Sequence, residues 1–180
     1  LEKHEGTAMI NSISLEKERW ENLLPALAGA GCKVVALCMS DEGMPETADA
    51  RISIAEKLVN GLVKNNVPED DIYVDPLVQP IGTNDEFGRE FLDALTLIAT
   101  ELPKVHTMCG LSNISFGLPE RRLLNQIFMA MAIARGLDGA ITNPLDETMM
   151  ANIVAAETLA GRDPFCTKYL KAFRAGLLTG

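Results

Sequence analysis

The sequence is poor in the residues that mark several common classes of protein. Its 180 residues include 16 Lys or Arg against 25 Asp or Glu, for a formal charge of -9. Nucleic-acid-binding proteins usually carry a basic patch, so this balance disfavours nucleic acid as a partner. No apolar run reaches the roughly 20 residues that cross a bilayer, and the first residues lack the basic and apolar parts of a signal peptide. We expect a soluble, cytoplasmic protein without a membrane partner.

Histidine and cysteine are also scarce, and neither occurs at the spacing of metal ligands. The two histidines, His4 and His106, stand alone, and we assign neither to metal binding or catalysis. Two of the four cysteines lie within apolar runs, where a thiol behaves as a small hydrophobic group. We therefore expect no metal site, and we expect the cysteines to be buried free thiols: Cys32, Cys38, Cys109 and Cys166.

The hydrophobic residues, 47% of the chain, follow two alternating patterns. Nearly continuous apolar runs are typical of strands that are covered on both faces. Apolar residues at three- and four-residue spacing indicate helices. The predicted strands are 7–12, 33–39, 72–78, 107–112 and 139–143, and the predicted helices are 15–28, 48–64, 85–101, 119–135, 146–159 and a last one from 163 onward.

This βα repeat predicts an α/β fold with a parallel sheet, in a single domain over residues 1–180 that has no linker. A doubly wound nucleotide-binding sheet loses weight because the chain has neither a Gly-x-Gly-x-x-Gly segment nor a Walker-type loop. The alternative is an arc of a (β/α)8 TIM barrel. Such barrels take about 250 residues, so this chain would supply only about five of the eight βα units.

Polar residues follow three of the predicted strands. Asn11 ends one run, Asp75 precedes a proline that cannot continue a central strand, and Asn113 ends a third run. The carboxyl ends of parallel strands form the functional face of α/β folds. The sequence therefore predicts that these three side chains share one pocket.

The three motifs, taken in order, resemble those of the pterin-binding methyltransferases. Asn11 stands in Met-Ile-Asn-Ser, Asp75 in Tyr-Val-Asp-Pro-Leu and Asn113 in Gly-Leu-Ser-Asn-Ile-Ser. Arg121 and the segment 125–132 also resemble the family's seventh helix. The family includes the methyltetrahydrofolate:corrinoid protein methyltransferases and the folate domain of cobalamin-dependent methionine synthase, on the barrel of dihydropteroate synthase. The resemblance covers essentially the whole chain, but the family's first three strands and one of their pterin-binding aspartates have no counterpart.

The resemblance implies methyl transfer between N5 of methyltetrahydrofolate or tetrahydrofolate and the cobalt of a corrinoid (cobalamin) protein, in either direction. It implies no metal or organic cofactor held by this chain itself, and a homodimer in the full-length protein. Asn11, Asp75, Asn113 and Arg121 would bind the pterin, with Asn113 also acting in catalysis. Further residues could line the pocket, although Ser112 and Ser115 are more typical of turn and cap residues: Met39, Ser40, Ser112, Ser115 and Asn143.

The residue types suit this chemistry. A carboxylate such as Asp75 accepts a pair of N–H donors from the pterin edge, and the amide of Asn11 offers both a donor and an acceptor. An uncharged amide at Asn113 could donate to N5 or accept from a protonated N5. Two structural roles stay open on the residues alone: Asp75 could cap the turn made by Pro76, and Asn113 could brace the end of its strand.

Two other functions compete with methyl transfer. Dihydropteroate synthesis uses the same barrel, but it calls for a lysine-containing motif on the seventh strand that this sequence does not show. A catalytically silent α/β binding or assembly module is the second alternative, and it gains weight if the chain is naturally this short.

Overall fold

In the computed structural model, which describes residues 4–178, five strands alternate with six helices. The strands are β1 (Met9–Leu15), β2 (Lys33–Ser40), β3 (Ile72–Asp75), β4 (His106–Gly110) and β5 (Gly139–Ile141). The helices are α1 (Lys17–Leu27), α2 (Ala48–Lys64), α3 (Phe87–Glu101), α4 (Arg121–Ala134), α5 (Glu147–Leu159) and α6 (Thr167–Arg174). Short 3₁₀ turns occupy Glu69–Asp71, Leu111–Ser115 and Pro164–Cys166.

The five strands form one parallel sheet in the order of the chain, β1-β2-β3-β4-β5. A doubly wound sheet reverses its strand order and carries helices on both faces, whereas the wall of a barrel keeps the chain order. On β2, Val34, Ala36 and Cys38 are buried in a core that includes residues of α2. The helices therefore cover one face of the sheet, and the other face is the concave inner surface of a TIM-barrel wall.

Two apolar clusters attach the helices to the sheet. The first joins β2 and β3 to α2, whose Ile52, Ala55, Leu58 and Leu62 recur at three- and four-residue spacing. The second joins β4 to α3, α4 and α5, and in it the rings of Phe91 and Phe128 lie 5.6 Å apart between centroids. Successive helices thus pack side by side along the outside of the wall.

The sequence predicts these elements with errors mainly at the strand ends. The predicted helix at 48–64 is correct. The predicted strand 72–78 is too long, since β3 stops at Asp75, before Pro76, which has no N–H for a ladder bond. The prediction for β1 is wrong: the strand runs on to Leu15, so Asn11 is its third residue instead of its end. The strand continues through polar residues, since Ser14 is fully buried and its Oγ donates to Glu16 Oε2 (2.8 Å).

The cysteine prediction is confirmed for three of the four residues. Cys32, Cys38 and Cys109 are buried free thiols, but Cys166 is exposed. Cys166 lies at the end of the Pro164–Cys166 turn, where its backbone has a left-handed conformation (φ 54°) and no strand or core covers it. Within residues 4–178, no helix is long and apolar enough to cross a membrane.

The contact between α1 and α2 predicts the effect of a substitution at Gly61. Alanine in a helix is normally more stable than glycine by about 1 kcal/mol. A Cβ at Gly61, however, would lie 2.6 Å and 2.7 Å from two ring atoms of Trp20. We expect Gly61→Ala to lower the free energy of unfolding by about 1–3 kcal/mol in urea denaturation, because the rigid indole ring must move.

A matched control lies one residue away. Asn60 is exposed on the same helix, so Asn60→Ala should change stability by less than about 0.5 kcal/mol. A Gly61→Ala variant more stable than the wild type would show that Trp20 does not pack as described.

Candidate functional site

The concave face of the sheet carries the polar side chains. Since Val34, Ala36, Ile72 and Val74 face the helices, the alternating residues of β2 and β3 face the other way. Asp75 is one of these. Val35 is paired with Asn11 on one side and with Tyr73 on the other, so Asn11 also faces the concave side. Asn11 lies level with Tyr73, two residues or about 7 Å below Asp75 along the strand direction.

Asp75 ends β3 in a half-buried position. The Leu77 N–H donates to its Oδ1 (2.9 Å), within a turn in which Leu77 takes a positive φ of 68°. Burial raises the pKa of Asp75 from its ordinary value of 3.8 to about 6, and the backbone N–H groups of Leu77 and Gly110 partly oppose that rise. The bond from the Leu77 N–H uses one of about four acceptor positions of a carboxylate. Asp75 is thus a desolvated carboxylate with accepting capacity left for a ligand.

A buried arginine also holds the backbone beside Asp75. Arg51 is fully buried on α2. Its Nε donates to the carbonyl oxygen of Pro76 (2.8 Å), and its Nη1 donates to the carbonyl oxygen of Glu46 (2.7 Å). Arg51 therefore joins the loop after β2 to the loop after β3 directly beyond Asp75.

Asn113 lies in the 3₁₀ turn Leu111–Ser115, directly after β4. Its side chain is exposed, whereas the neighbouring Leu111, Ile114 and Ser115 are buried. The turn follows Gly110, the last residue of β4, and β4 pairs with β3. Asp75 and Asn113 therefore occupy the carboxyl ends of adjacent strands, as the sequence predicts.

Arg121 braces the turn that contains Asn113. Its Nη2 donates to the carbonyl oxygen of Ser112 (2.8 Å), its Nε donates to Ser115 Oγ (3.1 Å), and its guanidinium carbon lies 5.8 Å from the ring centroid of Phe116. Ser115 has no exposed surface, so the prediction that it lines an open pocket is wrong. Its hydroxyl is engaged inside the protein.

The other predicted pocket residues lie along the same edge. Met39 is half-buried on the concave side of β2, and Ser112 is exposed beside Asn113. Ser40 ends β2, and its Oγ accepts from the Glu42 N–H (3.3 Å). Asn143 follows β5, where its Oδ1 accepts from the Leu145 N–H (3.0 Å) in a turn before α5.

A second polar cluster, at the opposite end of the concave face, is absent from the sequence predictions. The rings of Tyr73 and His106 stack with centroids 4.7 Å apart. His106 Nε2 lies 3.3 Å from Asp70 Oδ1, and its Nδ1 lies 3.4 Å from Asp138 Oδ2. Tyr73 OH accepts from Lys33 Nζ (3.1 Å). Each residue that bonds to or stacks on another in this cluster lies more than 30 positions from it in the chain. Only the alternation of side chains within the strands could have indicated a shared face.

Neither cluster has the geometry of a metal centre. Across residues 4–178, no group of three or more His, Cys, Asp or Glu side chains is arranged to hold a metal ion. The edge that carries Asp75 and Asn113 is instead suited to hydrogen bonding with an organic ligand, since it combines one carboxylate with uncharged amides.

Comparison with known proteins agrees with this geometry. A methylcorrinoid:tetrahydrofolate methyltransferase from Eubacterium limosum is 35% identical over 170 residues, which cover 93% of this chain and 63% of that protein. The methionine synthases of Mycobacterium tuberculosis and Mycobacterium leprae are 36% and 34% identical over 155 residues, which cover 79% of this chain and 13% of each synthase. The chain thus spans less than two thirds of the length of these relatives.

The family comparison covers most of the sheet. Residues 1–143 match the pterin-binding enzymes, a family with a TIM-barrel fold. That range includes Asn11, Asp75, Asn113 and Arg121, together with all five strands. With its parallel strands in chain order and its helices on one face, the chain belongs to the family of pterin-binding enzymes.

Proposed function

We propose that this chain binds a folate at the carboxyl edge of its sheet and takes part in methyl transfer between N5 of that folate and the cobalt of a corrinoid protein. The observation that carries the proposal is Asp75, a desolvated carboxylate on the concave face at the end of β3, next to the strand that leads to Asn113. The names of the relatives, a methylcorrinoid:tetrahydrofolate methyltransferase and two methionine synthases, point in the same direction.

Asp75 has the properties of a receptor for the pterin ring. The amino-pyrimidinone edge of a pterin presents adjacent N–H donors, and an ionised carboxylate accepts two of them in parallel. Such a bond is strong when the carboxylate is already shielded from water, as burial makes Asp75. Asn11, which faces the same side, complements the ring with one donor and one acceptor.

Asn113 has the properties of a group that acts on N5. Methyl transfer from N5 leaves the electron pair of the broken C–N bond on nitrogen, and a proton or a strong hydrogen bond at N5 stabilises that pair. The cobalt of the corrinoid protein is the atom that exchanges the methyl group with N5. An exposed amide at the strand end can donate to N5 or accept from N5–H, and it adds no charge that would oppose the protonated form.

The partners follow from this chemistry. The corrinoid protein would approach the carboxyl edge of the sheet, where Asn113 is exposed. The direction of transfer is set by the two substrates, because one site lowers the same barrier for both directions. Pairing of two copies of the chain through outer helices is part of the proposal.

The sharpest prediction concerns Asn113→Ala. Its hydrogen bond is proposed to matter mainly in the transition state, so its loss should slow single-turnover methyl transfer by about 10²–10³-fold. Equilibrium binding of methyltetrahydrofolate should change little. The control is Asn60→Ala, an equivalent change on the exposed side of α2. An Asn113→Ala variant that transfers methyl at the wild-type rate would assign the amide a structural role.

Folate binding should also depend on pH through Asp75. Only the ionised carboxylate accepts both N–H donors, and its pKa in the free protein is about 6. Affinity should therefore be constant above pH 7 and fall by about tenfold per pH unit well below 6.

Asp75→Asn should remove this pH dependence and weaken folate binding by about 3 kcal/mol, because the amide N–H group would face an N–H donor of the pterin. Calorimetry between pH 5 and 8 measures both effects, and a variant with wild-type affinity would return Asp75 to a turn role.

The same substitution should affect stability in the opposite sense. Because folding raises the pKa of Asp75 from 3.8 to about 6, the folded state binds the proton more tightly than the unfolded state. The wild type therefore loses stability as pH rises from about 4 to 6. The asparagine of Asp75→Asn does not titrate, so the variant does not lose stability in this way. Its free energy of unfolding should exceed that of the wild type by up to about 3 kcal/mol above pH 6 and show no such gain near pH 4. Urea unfolding at several pH values tests this, and a gain that is independent of pH would contradict it.

A further inference from the structure

We propose that Ser115 is the positioning residue for Asn113. Its buried hydroxyl connects helix α4 to the turn Leu111–Ser115 and so fixes the backbone from which the Asn113 side chain projects. This inference rests on the function proposed above, since it concerns how the reactive amide is held. Ser115 itself does not contact the ligand, because it has no exposed surface.

The Ser115 hydroxyl has a complete set of partners. It lies 2.8 Å from Asn125 Oδ1, to which it donates, and it accepts from Arg121 Nε at 3.1 Å. The carbonyl oxygen of Ser112 is a more distant alternative acceptor at 3.3 Å. One small side chain thus binds two residues of α4, one turn apart on the helix. A buried hydroxyl with such partners fixes a local geometry, because each partner loses its own bond if the hydroxyl moves.

Asn113 is held through its neighbours on both sides. The carbonyl oxygen of Ser112 accepts from Arg121 Nη2 (2.8 Å), and the carbonyl oxygen of Ile114 accepts from the Ile81 N–H (3.1 Å). The Ile114 side chain is buried, and the Phe116 N–H donates to the carbonyl oxygen of Asn113 (3.0 Å). The backbone of the turn is therefore constrained at every residue around Asn113, while the Asn113 side chain stays exposed.

The hydrogen bonds of Ser115 and Arg121 stabilise the turn Leu111–Ser115 and not the first turn of α4. Helix α4 follows Glu120, which has a left-handed backbone and makes no side-chain capping bond. A serine that stabilised the helix would accept from the free N–H groups of its first turn. Ser115 instead bonds to the side chains of Arg121 and Asn125, and Arg121 directs a second donor back to Ser112. The arrangement stabilises the segment that carries Asn113.

Positioning of this kind changes rate more than affinity. A reacting group displaced by about 1 Å can cost about 100-fold in rate. Binding of the pterin ring depends mainly on Asp75 and Asn11, which lie on other strands and are not part of the Ser115 contacts. Loss of the hydrogen bonds of the Ser115 hydroxyl should therefore lower the rate of methyl transfer and leave folate affinity nearly unchanged.

The test uses three variants of the complete protein. Ser115→Ala removes the hydroxyl, and Asn125→Leu removes its acceptor at similar volume. Asn125→Asp keeps an acceptor oxygen and is the matched conservative control. We expect the first two to slow single-turnover transfer from methyltetrahydrofolate to a cobalt(I) corrinoid protein by about 10- to 100-fold, and Asn125→Asp to stay within about threefold of the wild type. Methyltetrahydrofolate binding should change by less than about threefold in all three.

A second measurement does not depend on activity. Amide hydrogen exchange at Phe116, whose N–H bonds to the carbonyl oxygen of Asn113, should accelerate in Ser115→Ala and Asn125→Leu and not in Asn125→Asp. Unchanged exchange in Ser115→Ala would overturn the proposal, as would faster exchange with a wild-type transfer rate or an equal loss of rate and affinity. A wild type that transfers no methyl group would sink the proposed function, and the exchange result would then still decide whether Ser115 holds the turn.

Discussion

The alternation of side chains across the parallel strands is the constraint on which the rest of this structure depends. Helices cover only one face of the sheet, so every second residue of β2 and β3 must be apolar, as Val34, Ala36 and Val74 are. The residues between them face the concave side and are free of that requirement. Asn11 and Asp75 occupy such positions. The same packing that stabilises the wall therefore creates a surface on which polar groups can be collected.

The backbone beside Asp75 and the backbone beside Asn113 are each held by hydrogen bonds from an arginine. Next to Asp75, the carbonyl oxygen of Pro76 accepts from the guanidinium of Arg51, and next to Asn113, the carbonyl oxygen of Ser112 accepts from that of Arg121. An arginine has five N–H donors in a rigid plane and suits this task because it can bind several backbone acceptors at once. Arg51 lies on the helix after the neighbouring loop, and Arg121 lies on the helix that directly follows the turn of Asn113. Helix packing on the outer side thus sets the geometry of the loops at the carboxyl edge.

Asp75 and Asn113 have different electrostatic roles in the proposed reaction. Asp75 is charged at neutral pH although burial disfavours its charge, and this unfavourable free energy is what a ligand with N–H donors can relieve. Asn113 is uncharged and exposed, so it can follow a change of protonation at a ligand nitrogen without a large electrostatic penalty. The unfavourable burial of the Asp75 charge is offset by favourable packing elsewhere in the fold.

Local sequence patterns determined the class of the fold, the number of elements and two of the three strand-end residues. The helix 48–64 was predictable because apolar spacing is a local property. Pro76, which lacks an N–H, marked Asp75 as the last strand residue before it, although the predicted strand ran on to residue 78. The family resemblance added the candidate roles of Asn11, Asp75, Asn113 and Arg121.

Only the tertiary structure placed Asn11 within β1, buried Ser115, and brought Tyr73 onto His106. Each of these depends on contacts between residues that are distant in the chain or on different elements. A serine in a turn has the same local sequence whether its hydroxyl meets water or the side chain of a helix. The packing of α4 against the turn decides that environment, because burial is a property of the assembled fold.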